Sequence, residues 1–186
     1  MVKRECGGCT LCCRLLPVRE LGKGSNERCK HQQTGKGCAV YHKLARVSPS
    51  CALWSCRWLV NDDTAELSRP DRSHYVLDII PDFITLTDND DPDKRPSNVQ
   101  IIQVWVDPKY PDAHRDPALR DYLKRRGEEG IAALIRYSAR DAFVLFPPAM
   151  TGSGEFVEHR TGMRAADHTA AEIVAGIAQA EKVKIG

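Results

Sequence analysis

"CGGCTLCC", residues 6 to 13, places four thiols within eight positions near the start of the chain, and the question of what holds them divides the molecule. All eight cysteines, at 6, 9, 12, 13, 29, 38, 51 and 56, fall in the first third, and the remaining 130 of 186 residues contain none. Gly- and Lys-rich stretches, "LGKGSN" (21 to 26) and "TGKG" (34 to 37), punctuate that third. Few apolar residues lie between them, so hydrophobic burial alone cannot order the region and an added constraint is required.

Beyond residue 74 the pattern changes. "HYVLDII", "FITLTD" and "VQIIQVWVD" are rich in β-branched and aromatic residues and are separated by turn formers, including the acidic loop "DNDDPDKRPSN", which predicts an antiparallel ribbon. "DPALRDYLKRRGEEGIAALIRYS" reads as helix, with Asp116 as its cap, Pro117 at a tolerated first position and Gly127 or Gly130 marking a break. "DAFVLFPP" reads as a further strand, and "AADHTAAEIVAGIAQAEKVK" as an Ala-rich closing helix. The expected fold class is α+β: a small, irregular, metal-stabilised cysteine-rich module over residues 1–60, on an α+β core with an antiparallel sheet over residues 61–186, the two packed as one unit.

Apolar residues make up 42% of the chain and charged residues 28%, the balance of a globular protein rather than a disordered one. The formal net charge of +2 is unevenly spread: residues 1 to 58 hold eleven Lys or Arg against three Glu, so the remainder carries the opposite sign. A basic surface for an anionic partner is one reading. The favoured one is that the cations offset thiolates, because a tetrathiolate site around a divalent ion retains a charge of about −2. "MVKREC" opens with charges and has no apolar h-region, which predicts a non-exported, cytoplasmic chain with no membrane partner. In that compartment thiols stay reduced, and clustered Cys bind metal or do redox chemistry more often than they form disulfides.

Cys6, Cys9 and Cys12 form C-x2-C-x2-C, a spacing that lets a short loop curl until three sulfurs converge on one centre. It is the opening of the bacterial ferredoxin run, but Cys13 follows at once and Arg14 stands next, so a simple ferredoxin is disfavoured. Neighbouring side chains point apart, which separates Cys12 from Cys13 and predicts two centres or one multinuclear cluster. Cys29, Cys38, Cys51 and Cys56 are spaced too widely for a zinc knuckle and must be brought in by loops, and which four cysteines share a centre stays open. His31 and His42 can each replace a sulfur, although a surface or supporting role is the commoner one. His74, His114, His159 and His168 lie among polar neighbours and are expected to be mostly solvated. Trp54 and Trp58 are expected to form the hydrophobic floor of the module rather than a platform for a base.

These residues resemble the YkgJ-like cysteine-cluster proteins, the CxxCxxCC or zinc- or iron-chelating family. The resemblance runs from "ECGGCTLCCRLLPVREL" (5 to 21) through "CKH" (29 to 31) and "GKGCAVY" (35 to 41) to "CALWSCRWL" (51 to 59), with "RPDRSHYVLD" (69 to 78) as a weaker continuation. It implies chelation of zinc or iron by Cys6, Cys9, Cys12, Cys13, Cys29, Cys38, Cys51 and Cys56 in a bacterial cytoplasm. "VYHKLARVSPSC", which ends on Cys51, is longer than the family's usual link and lacks its Arg-Pro.

Three functions compete. The first is a metal-binding protein whose cluster holds zinc, as a structural clamp, or an iron–sulfur centre able to move electrons. The second is an enzyme with its cleft in the α+β core, including an iron–sulfur-dependent redox enzyme or accessory protein; no P-loop, Rossmann fingerprint, G-x-S-x-G or H-E-x-x-H supports it, and no catalytic residue is identified. The Asp-rich loop at 88 to 93 does not follow EF-hand spacing and reads as a solvated turn. The third, a zinc-dependent nucleic-acid binder, ranks below the first. A protein partner remains open.

Overall fold

The computed structural model describes residues 4–87, 93 and 95–160. Its first third is built from short pieces: α1 (Leu11–Leu15), the hairpin β1 (Gln32–Gln33) and β2 (Gly37–Cys38), then α2 (Leu44–Val47), α3 (Pro49–Leu53), α4 (Arg57–Val60) and α5 (Pro70–Ser73). None of these exceeds five residues. Helices this short are not stable on their own propensity, so tertiary contacts must hold them.

The second part is a six-stranded sheet made from β3 (Tyr75–Leu77), β4 (Asp82–Leu86), β5 (Ser97–Val106), β6 (Ala132–Arg136), β7 (Ala142–Phe146) and β8 (Val157–His159). Both β3 and β4 pair antiparallel with β5, one with its end and the other with its start. Leu77 faces Val104 and Asp82 faces Ile101, so five steps on one side meet three on the other. The surplus is a bulge over residues 79–81, where Pro81 brings no N–H to the ladder.

The sheet is mixed, which corrects the expectation of an antiparallel one: β6 runs parallel to β5, and β7 and β8 continue antiparallel from it. The parallel step needs a crossover, supplied by α6 (Pro117–Glu128). Asp116 caps α6 as expected, its carboxylate accepting the Ala118 N–H at 3.0 Å, with Pro117 at the first helical position.

The helical reading of the following segment fails. Gly130 turns the chain at φ +77°, and Ala132–Arg136 then forms a central strand with every residue buried. A strand covered on both faces shows an unbroken apolar run, which periodicity cannot tell from a buried helix. The closing helix expected over 165–184 lies outside the described residues, as does most of the acidic loop, residues 88–92 and 94.

The two faces of the sheet have different covers. On one, Ile102, Val104, Val106, Ile135, Phe143 and Leu145 pack against Leu119, Tyr122 and Leu123 of α6. On the other, Val76 and Trp105 receive Leu11 and Leu15 of α1 together with Cys9. Each buried leucine stabilises that seam by about 2 kcal/mol. The module is fastened further by Arg14 on Asp107, by Asn26 Nδ2 donating to the Tyr137 carbonyl (2.7 Å) and by Ser25 Oγ accepting the Ala139 N–H (3.0 Å).

Two histidines depart from the solvated expectation. His114 is buried: Nδ1 lies 2.8 Å from the Pro111 carbonyl, and the ring stands edge-on to Phe143. His74 stacks on Tyr110 with centroids 3.6 Å apart. His159 is exposed on β8, and His168 lies outside the described residues.

Candidate metal centre

The loop that carries Cys6 and Cys9 closes on itself, with the Cys9 N–H donating to the Cys6 carbonyl at 2.9 Å. Its two glycines permit a backbone-on-backbone contact with the β1–β2 hairpin. A Cβ on Gly8 would lie 2.6 Å from the Gly35 oxygen, and one on Gly37 (φ +94°) 2.6 Å from the Gly7 oxygen. This interlock gives "GG" and "TGKG" their purpose, and it lays the hairpin bearing Cys38 against the loop bearing Cys6 and Cys9.

Cys6, Cys9, Cys12 and Cys56 line one small cavity of about 20 Å³, walled by Trp58, Leu59, Pro70 and Val76. Cys12 is delivered by α1, and Cys56 by the turn that starts α4 and bridges to Asp78 at the margin of β3. Burial is the first cause that pushes the Cys6 thiol up to about 11 and the Cys56 thiol up to about 12; repulsion from neighbouring sulfurs adds to it in both. Cys9 is raised as well, again chiefly by burial. Against this, the amides of Trp58 and Leu59 favour the Cys56 thiolate, and those of Leu11 and Asp71 the Cys9 thiolate. Thiolates here are solvated by backbone N–H groups, with Arg69 a positive charge near Cys6 and Cys9, yet burial still outweighs these, and a cation relieves such an environment.

Cys13, Cys29, Cys38 and Cys51 form a second neighbourhood. The Cys29 N–H donates to the Cys13 carbonyl at 3.2 Å, and charge on Cys13 and Cys29 raises both Cys38 and Cys51, after burial. Lys23, only 7% exposed, lies beside it; its ammonium donates to the carbonyls of Arg14 (3.1 Å), Gly24 (3.1 Å) and Leu16. The ammonium therefore finishes α1 by pairing the Arg14 carbonyl and that of Leu16 just beyond it, while placing a fixed positive charge by Cys13 and Cys29.

The two groups meet at the adjacent pair. Cys12 and Cys13 do not simply diverge: a hydrogen bond from the Cys12 thiol holds Cys13 down to about 7, with Lys23 assisting, and holds Cys12 well above the ordinary thiol range. All eight cysteines are free thiols. Among the described residues, no three His, Cys, Asp or Glu side chains already stand at metal-chelating separation. Closing either group on an ion therefore requires its sulfurs to turn inward.

His42 is exposed and His31 half-buried, and neither lines the cavity. Trp58 walls the cavity, donates Nε1–H to the Leu67 carbonyl (2.9 Å) and carries the Arg4 guanidinium over its ring. Trp54 packs beside Cys56 and donates to Asp78 at 2.8 Å. The buried charges nearest the thiols, Lys23 and Asp78, were not signalled by the sequence, because nothing in local spacing marks a lysine or aspartate as buried. Burial, ahead of the Ile80 and Trp54 hydrogen bonds that oppose it, pushes Asp78 up to about 6.

No family model, characterised protein or solved structure matches the chain, so the arrangement of its thiols stands as the guide to what it does.

Proposed function

We propose that this is a metal-binding protein with two neighbouring thiolate centres, one of Cys6, Cys9, Cys12 and Cys56 and the other of Cys13, Cys29, Cys38 and Cys51. The observation that carries the reading is the convergence of four cysteines on a single cavity of about 20 Å³. Such a space holds roughly one water-sized particle and suits one ion better than a cluster of several atoms. Four sulfur donors with no open position describe structural zinc, which would supply a tetrahedral anchor for the loops. Trp58, Leu59, Pro70 and Val76 keep water away, and the amides facing Cys9 and Cys56 hold thiolates in place. Arg69, held by Asp71 at 2.6 and 2.7 Å, acts on Cys6 and Cys9 as a nearby positive charge, as Lys23 does for the second centre.

The Cys12–Cys13 contact favours a second reading, a multinuclear iron–sulfur centre shared across the pair. Elemental analysis with an absorption spectrum on protein purified without oxygen separates the two. About two zinc per chain and a colourless solution is the expected result. Iron with matching acid-labile sulfide would replace zinc by the redox centre, and metal-free protein would defeat both readings. Reduced thiols of this density suit a reducing compartment, and no described helix is long and apolar enough to cross a membrane.

A further inference from the structure

A cleft of about 580 Å³ is lined in part by Thr10, Leu11 and Arg14 and shares no lining residue with the cavity that the cysteines line. Its volume falls within the range of small-molecule sites. Three of its charged groups are already compensated: Arg14 pairs with Asp107 within the cleft, and Asp71 with Arg69 outside it. Two cations are not. Among the described residues Arg28 meets only neutral acceptors, the Gln32 carbonyl at 3.4 Å and Thr34 Oγ1 at 3.1 Å, and Lys109 Nζ meets no carboxylate. Among the described residues the cleft thus carries two positive charges with no carboxylate partner, one from the approach to β1 and one from the loop after β5.

The same cleft carries an aromatic shelf. His74 and Tyr110 lie face to face, 3.6 Å apart and 8° from parallel, and Tyr110 keeps 49% of its surface exposed. His74 holds φ +63°, a left-handed conformation that a non-glycine residue adopts only when its surroundings enforce it. The enforcement is visible: its N–H donates to the Pro70 carbonyl (2.9 Å), and its own carbonyl accepts the Asp107 N–H (2.9 Å). The shelf is therefore fixed in advance of any ligand.

We infer that this cleft binds an anionic small molecule with a planar group, its phosphate or carboxylate held by Arg28 and Lys109 and its ring laid on the Tyr110–His74 shelf. The inference does not depend on which metal the thiols hold, because the cleft shares none of the eight sulfurs.

Calorimetric titration of the full, metal-loaded chain with ADP, inorganic pyrophosphate and phthalate tests it. One saturable site for at least one probe is expected. Response to ADP and pyrophosphate identifies a phosphate ligand, and response to phthalate alone a carboxylate. Arg28→Gln and Lys109→Gln, both exposed positions, should each weaken binding about tenfold, while Tyr110→Ala should weaken ADP or phthalate and leave pyrophosphate unchanged. No saturable binding by any probe at about 1 mM, or affinity unchanged by both cation substitutions, would overturn the inference. Metal content measured on the same samples keeps this result separate from the fate of the two thiolate centres.

Discussion

At Gly37 a methyl group has no room. The residue sits at φ +94°, and its Cβ would approach the Gly7 oxygen to 2.6 Å, a backbone atom that cannot swing aside. Gly37→Ala therefore adds left-handed strain to a clash and should cost about 2 kcal/mol or more, read as an earlier denaturation midpoint and lower metal retention. His114 makes a different single-residue argument. Burial, ahead of the Pro111 carbonyl that opposes it, holds its pKa below the usual histidine value; Arg120 and Arg115 lower it further and Glu158 raises it, with the Tyr137 hydroxyl alongside. The unfolded chain then binds a proton more readily than the folded one. Stability due to this group is complete above about pH 6.5 and declines as pH falls from there through the lower folded value. Thermal melts of the wild type should lose ground to His114→Gln as pH is lowered from about 7.5 to 5, and parallel curves would refute the assignment.

Among the elements, α6 was the most legible. Asp116 and Pro117 announce its start in sequence, and the cap hydrogen bond to Ala118 is present. Asp116→Ala should cost about 1 kcal/mol or somewhat more in urea unfolding, since the same carboxylate also accepts the Tyr75 hydroxyl at 3.1 Å. The strands β3, β4, β5 and β7 were readable from β-branched runs. The strand β6 was not, because its apolar run follows a helix with only two glycines near the junction, and burial on both faces erases alternation. Direction of pairing was equally hidden: nothing in Ala132–Arg136 says whether its neighbour runs with or against it. In the candidate site, spacing marked all eight cysteines as one constellation but not their division. The division proposed depends on where α1 aims Cys12 and on the turn before α4, both set by contacts distant in sequence.

For the whole molecule, the tryptophans sit where module and sheet meet, Trp54 and Trp105 in the seam and Trp58 also against the core of the α6 side. Trp105 is 6% exposed beneath Leu11 and Leu15, Trp58 walls the cavity, and Trp54 is tied to Asp78. If metal holds the module together, chelation should release α1 from that face, shift tryptophan emission to the red and open the first third to protease. The α6 face of the sheet, with its separate core, should keep its far-ultraviolet signal. Unchanged emission after complete metal removal would show the module folded without it. The expectation of two regions packed as one unit concerned this seam, and its apolar residues are what a cysteine pattern alone could not reveal.

The first cavity draws its fourth sulfur from Cys56 and one wall from Val76, and Val76 stands in β3, which is paired as far along as Val106. A chain emerging from the ribosome therefore exposes Cys6, Cys9, Cys12 and Cys13 long before it can enclose them. During that interval the nascent thiols are open to oxidation, and on the proposed metal-binding reading to the wrong ion, so that loading would be a matter of timing during synthesis as much as of affinity.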